Sequence, residues 1–297
     1  VDNQPRSPIH FSVTSQTNFS PVISAQEVSD ILGDEGVGLV DCRFSLDDTE
    51  RGMRDWSEER IPGAVYAHLD HDLSAPITKR NEGRHPMPPP TAIAALRASW
   101  GFGEDTLIVC YDDAGGAFAG RLWWMLSWIG HEGVCVLDGG WPAWQRGDYP
   151  TTRATAQPTP EAAVRSQNFT PRKDWVIPAS QIEQDEYRLI DARAQERYEG
   201  LNEPIDAVAG HIPGAKNLPW KGNLRENGQF LSAEALRERW DSVGGTDRAI
   251  VYCGSGVTAC HNILAAAIAG LPLPRLFPPS WSGWISDPDN PIESSAS

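Results

Sequence analysis

The chain has 297 residues, 40% of them apolar, enough for a large core and usually for two domains rather than one. Acidic side chains outnumber basic ones by 40 to 25, and the formal net charge of −15 disfavours nucleic-acid and membrane-surface partners. An anionic substrate therefore needs a local cationic pocket to overcome the field of the whole molecule. The five cysteines, Cys42, Cys110, Cys135, Cys253 and Cys260, form no Cys-x-x-Cys pair and no zinc spacing. That pattern predicts neither a disulfide framework nor a metal centre, and points to a reducing, cytoplasmic setting. Residues 1–18 lack the basic-then-apolar pattern of a signal peptide, and no apolar run is long enough to span a bilayer.

In chain order, the first strand signal is Gly38-Leu39-Val40-Asp41-Cys42-Arg43, followed by the turn Arg60-Ile61-Pro62-Gly63-Ala64. A helix is predicted over 90–100, a strand over 107–112 and a helix over 120–129. The strand 134–137 then runs into Asp138-Gly139-Gly140-Trp141. Residues 145–175, rich in Thr, Pro, Ala and Gln, read as a linker. Beyond it the landmarks return in the same order: Leu189-Ile190-Asp191-Ala192-Arg193, then His211-Ile212-Pro213-Gly214-Ala215, a helix over 232–240, the strand 249–252, and Ser280-Trp281-Ser282-Gly283-Trp284. One landmark could recur by chance, but an ordered series is an internal duplication. Strands alternating with helices imply an α/β fold of two similar domains, each a parallel sheet flanked by helices. The expected division is a first domain over 1–150, a linker over 151–175 and a second domain over 176–297.

The segment Cys253-Gly254-Ser255-Gly256-Val257-Thr258 joins the strand 249–252 to a helix expected near Val257 or Thr258. A cysteine at the C-terminal edge of a parallel strand stands where α/β folds bind their ligands. The glycines let successive backbone N–H groups curl inward, and the helix adds the positive end of its dipole. Such a cradle favours thiolate over thiol and makes Cys253 a nucleophile. The plainer reading, a small core residue at a strand end, fits Cys42, Cys110, Cys135 and Cys260 better. A phosphate-binding loop lacks its Gly-Lys-Ser/Thr, and a cysteine phosphatase lacks its loop arginine, since Thr258 stands there. Thr258 is expected to cap the helix. His68, His71 and His85, in a Pro- and Asp-rich stretch, read as surface-loop residues rather than metal ligands.

The loop Cys253 to Ala259, the duplicated Asp191-Ala192-Arg193 and His211-Ile212-Pro213-Gly214-Ala215 landmarks, and Trp123-Trp124-Met125 resemble the tandem-domain rhodanese superfamily. Within it the loop is similar to that of the mercaptopyruvate sulfurtransferases. The resemblance implies an inactive first copy, and Tyr111-Asp112 does stand where the second copy has Tyr252-Cys253. It implies ping-pong transfer with no cofactor. Cys253 takes sulfur from a small anionic donor, 3-mercaptopyruvate or thiosulfate, and a thiol, cyanide or protein thiol removes it from the persulfide. Arg197 matches the family's donor-binding arginine, Ser255 the loop position that separates the two donor branches, and Gly254 to Thr258 the persulfide cradle. Arg193 is a further binding candidate, although pairing with carboxylates near its strand end is also expected. Tyr111 is expected to face the interdomain cleft, which Trp281 and Trp284 would line. Three departures leave the donor open: Asp206 stands where a second arginine is usual, Arg60 where a histidine could assist a serine relay, and Gly283 where a carboxylate is usual. A persulfide carrier for a partner protein, or a noncatalytic anion-binding relative, are the alternative readings.

Overall fold

The computed structural model describes residues 20–153, 169–182 and 186–294. The N-terminal segment and the middle of the expected linker lie outside the described residues. Strands β1 (Val22–Ile23), β2 (Val37–Asp41), β3 (Val65–Tyr66), β4 (Leu107–Tyr111) and β5 (Val134–Leu137) form a parallel sheet in the order β1-β5-β4-β2-β3. Strands β6 (Arg188–Asp191), β7 (Lys216–Asn217), β8 (Ala249–Tyr252) and β9 (Arg275–Leu276) form a second parallel sheet, β7-β6-β8-β9. Val176 adds a parallel bridge to Leu276, in the position that β1 holds beside β5. The duplication read from the sequence is therefore a duplication of topology.

The helices are α1 (Ala25–Asp30), α2 (Arg51–Glu58), α3 (Pro90–Ser99), α4 (Ala119–Trp128) and α5 (Gly140–Arg146) in the first half. The second half contributes α6 (Gln195–Tyr198), α7 (Ala233–Ser242), α8 (Ala259–Ile268) and α9 (Ser280–Trp284). None is long and apolar enough to cross a membrane. The longer strands and helices fall where hydrophobic pattern placed them, within a residue or two. The two-residue strands escape notice because no periodicity can be read from two positions.

Helices α4 and α8 differ from the rest in being buried over nearly every position. A helix apolar all round must be enclosed on all sides, and these two enclose each other across the junction of the halves. One continuous apolar cluster runs from Val40 and Trp124 through Leu264 to Val251, while smaller clusters cover the outer face of each sheet. At the seam, a Cβ on Gly120 would lie 3.6 Å from His261 Cα, ordinary contact for a methyl group with no room beyond it. Gly120→Ala is expected to be neutral or to stabilise by up to about 1 kcal/mol through helix propensity. Gly120→Leu is expected to cost about 1–3 kcal/mol by overpacking. Urea unfolding midpoints of the two variants check both signs.

Candidate active site

Side chains alternate between the faces of a strand, so the last residue of β4 or β8 and the next residue point opposite ways. Tyr111 and Tyr252 turn to the outer clusters, and Asp112 and Cys253 turn to the loops that lead into α4 and α8. Tyr111 is fully buried, accepts the Ile61 N–H and stacks with Trp141. Tyr252 accepts the Ile212 N–H in the same way. The expectation that Tyr111 faces the cleft is therefore wrong: it is the structural twin of Tyr252.

In the first half the Asp112 carboxylate accepts the N–H groups of Ala114, Gly116, Phe118 and Ala119 at 2.8–2.9 Å. All four partners are donors, which suits the acceptor-only carboxylate. The loop is thus an anion cradle filled by a residue of its own chain. In the second half Cys253 Sγ takes the corresponding place, 3.1 Å from the Gly256 N–H. Gly256 has φ +80, and a Cβ there would meet Pro278 O at 2.4 Å, so only glycine can turn this amide toward the sulfur. The Cys253 N–H is held by Ser280 Oγ at 3.1 Å, and Ser280 adopts φ +54 to reach it. Cys260 is buried against Gly256 O, and burial pushes its thiol up to about 12, as expected of a core cysteine. Thr258 precedes α8 but makes no side-chain capping bond, so its expected capping role is not observed.

Cys253 opens onto a pocket of about 520 Å³ that Gly254, Ser255, Val257 and Thr258 also line. Its charged lining consists of Arg84, Arg193, Arg197 and Lys221, with no carboxylate among them. This is the local positive field that an anionic ligand requires in a protein of charge −15. His85 enters the pocket from the first half. It is buried, not a surface-loop residue, with Nδ1 2.7 Å from Ser255 Oγ and Nε2 3.2 Å from Asp70 Oδ1. Burial, with Arg121 and Arg84 nearby, pushes its pKa down to about 4, so the ring is neutral at neutral pH. Its proton belongs on Nε2 facing the carboxylate, which leaves Nδ1 to accept the Ser255 O–H. Arg60 therefore does not deprive the molecule of a serine–histidine relay: His85 supplies one. No local spacing reveals it, because 170 residues separate His85 from Ser255.

The arginines divide by role. Arg193 makes a bidentate pair with Asp191, with Nη2 2.7 Å from Oδ2, donates to Gly210 O and lies 4.7 Å over the Trp281 ring. Arg43 repeats these contacts with Asp41, Glu59 O and Trp141 in the half without the cysteine, and Arg193 adds a pair with Glu203 at 3.3 Å. Arg193 is consequently a fold element whose guanidinium is spent, not a binding group. Trp281 is fully buried beneath it and donates to Val208 O, and Trp284 lies in the same outer cluster, so neither lines the cleft. Arg197 does reach the pocket, paired with Glu203 and with Asp206 at 2.8 Å. Asp206 also pairs with Arg84, a second guanidinium that the sequence reading missed and that the first half sends across the cleft. Arg84 is set in place by its N–H, which donates to Ser282 Oγ at 3.1 Å.

Away from the pocket, Glu50, His68 and His71 bring potential ligand atoms within 4.8 Å of one another. His68 is buried, again unlike a surface loop, and its Nδ1 accepts the Asp70 N–H at 3.1 Å. That bond leaves the ring proton on Nε2, which stands 3.8 Å from Glu50 Oε1 without a hydrogen-bond partner among the described residues, so the neutral ring turns no lone pair toward Glu50 and His71.

The rhodanese-like domain family matches this chain twice, over residues 24–147 and 179–287. A "Probable 3-mercaptopyruvate sulfurtransferase" of Pseudomonas aeruginosa is 43% identical over 91% of this chain and 97% of that protein. A "Thiosulfate sulfurtransferase" of Bos taurus is 32% identical over 84% of this chain and 85% of that protein. The structure of 3-mercaptopyruvate sulfurtransferase from Leishmania major superposes with a TM-score of 0.78 at 30% identity, covering 88% of this chain and 73% of that one. The repeated topology and the shared loop agree with these matches, and the chain belongs to the rhodanese family as a tandem sulfurtransferase.

Proposed function

We propose that Cys253 carries the transferred sulfur as a persulfide and that 3-mercaptopyruvate is the preferred donor. The observation behind the donor is the Asp70–His85–Ser255 chain, which ends in the pocket of Cys253. When the Cys253 thiolate attacks the sulfur of mercaptopyruvate, the carbon–sulfur bond breaks and its electron pair passes to carbon as an enolate. The charge collects on the ketone oxygen, and a proton completes pyruvate. The Ser255 hydroxyl, turning its hydrogen from His85 Nδ1 to that oxygen, stabilises the enolate, and the proton that completes pyruvate is the one the donor's own thiol gives up as its sulfur becomes the outer sulfur of the persulfide. Thiosulfate departs as sulfite, a stable anion that needs no proton, so the relay has no work with that donor. Thiosulfate remains the second reading, supported by the likeness to the Bos taurus thiosulfate sulfurtransferase and by a pocket whose Arg84, Arg197 and Lys221 suit any small anion.

In this reading Arg84 and Arg197 orient the donor's anionic end. The amides from Gly254 to Thr258 hold the persulfide as the Asp112 loop holds its carboxylate. A thiol, cyanide or protein thiol then attacks the outer sulfur and regenerates Cys253. The first domain, over 1–150, is the copy without a nucleophile. The second, over 176–297, carries it, with 151–175 as linker. The five unpaired cysteines support work in the reducing cytoplasm.

Intact mass after incubation with donor is expected to rise by one sulfur atom and not to rise in Cys253→Ser; a gain that persists in that variant sinks the assignment. Ser255→Ala and His85→Asn are each expected to slow turnover of mercaptopyruvate by roughly 100-fold or more, the scale of general acid–base assistance. With thiosulfate the same variants are expected to stay within a few-fold of the parent. Steady-state rates with both donors check this, and equal losses would reject the relay as the basis of donor choice.

A further inference from the structure

Each half braces the loop of the other. Arg121, the third residue of α4, donates from Nη1 to Gly256 O at 2.9 Å. His261, the third residue of α8, places Nε2 2.9 Å from Gly115 O. Gly115 lies three residues after Asp112, and Gly256 three after Cys253. The same helical position thus holds the same loop carbonyl in the opposite half. The two donors differ in charge. Burial pushes the His261 pKa down to about 4, so that brace is neutral, whereas a guanidinium keeps its charge.

Arg121 is fully buried. Its other hydrogen bonds go to His85 O at 3.1 Å and Leu73 O at 3.4 Å, and its Nε has no partner among the described residues. No carboxylate pairs with it there. A buried cation without a counter-ion is costly to hold, and three backbone carbonyls are all that offsets the cost here. The groups nearby that can become anionic are the thiols of Cys253 and Cys260, and Cys260 stays protonated with its pKa near 12. The asymmetry also matches the loops. Asp112 is satisfied by four amides and faces a neutral brace, whereas Cys253 Sγ receives one amide and faces a charged one.

We propose that Arg121, supplied by the half that lacks the cysteine, is a positioning residue for sulfur transfer: it fixes the carbonyls of Gly256 and His85 and provides the buried counter-charge for anionic sulfur on Cys253. The proposal rests on the reading of Cys253 given above. By holding Gly256 O, Arg121 also turns the N–H on the far edge of that planar peptide, that of Val257, the opposite way. The other titratable or charged groups around Cys253 are Arg84, Arg193, Arg197 and Lys221 in the pocket wall, His85 beside Ser255, and Cys260 in α8.

The test uses the full chain and follows iodoacetamide alkylation of Cys253 across pH by peptide mass, together with steady-state transfer from mercaptopyruvate and thiosulfate. In Arg121→Met the alkylation profile is expected to move toward higher pH, and the reaction at neutral pH to slow, by at most about tenfold for a one-unit move. Arg121→Lys keeps the charge but not the fork, so its profile is expected to stay put while transfer slows with both donors. His261→Gln, which removes the mirror brace, is expected to leave the profile in place. A folded Met variant with an unmoved profile, or Lys and Met variants displaced alike, overturns the proposal. If the Met variant does not fold, the Lys variant decides: a profile displaced by a full unit refutes the charge role, and an unmoved one with slowed transfer supports it. Alkylation needs no sulfur donor, so failure of the parent chain to gain a persulfide would reject the reaction while leaving the role of Arg121 decided on its own readout.

Discussion

The packing of α4 against α8 is the constraint on which the rest of the molecule depends. Each helix begins where a loop leaves the C-terminal edge of a central strand, so burying the helices against each other brings the two loops to one place. The pocket is then made from both halves by necessity. Cys253 and Ser255 come from one loop, and Arg84, His85 and Arg121 come from the other half. Neither half contains the site. The first copy, with Asp112 in the place of Cys253, supplies Arg84 and His85 to the wall of the pocket and Arg121 to the loop behind it.

Duplication also separates what the fold needs from what the chemistry uses. The Asp–Arg pair over a tryptophan and the strand-terminal tyrosine bonded to the preceding Ile–Pro–Gly turn occur in both halves with nearly the same distances. Features shared with an inactive copy are structural by that fact. The copies differ at the loop itself: Asp112 against Cys253, Gly140 against Ser280 at the same left-handed position, and a histidine brace against an arginine one, and the proposed chemistry rests on these differences. The first loop, with its carboxylate held by four amides, displays in a resting state what the second must do for a transient anion.

This pattern explains what was legible in the sequence. The strands, the long helices, the duplication and the cysteine loop all rest on local order, which hydrophobic period and turn residues record. Tyr111 was misplaced because strand register decides the facing of each side chain and comes from pairing partners outside the segment, and Trp281 because the facing of a five-residue helix is set by what it packs against. Arg193 was ambiguous until its twin Arg43 was seen in the same contacts. Asp70, Arg84, His85 and Arg121 were missed for a plainer reason. They belong to the other half, 130 residues or more away in the chain, and meet the loop through the helix seam and through the packing of residues 80–84 on α9.

The electrostatics of the pocket follow from the same composite origin. Arg84 and Arg197 arrive from different halves and would repel each other without Asp206, whose nearly buried carboxylate accepts from both. An acidic residue in the place where a second arginine is usual does not empty the site of positive charge, because the second guanidinium arrives across the cleft. It does mean that an incoming anion meets cations already paired, so binding gains only the difference between two sets of contacts. Under that condition the count of positive charges discriminates weakly between one small anionic donor and another. In the reading proposed for the donor, discrimination therefore falls to groups that differ in what they offer the leaving atom, the Ser255 hydroxyl and the imidazole behind it.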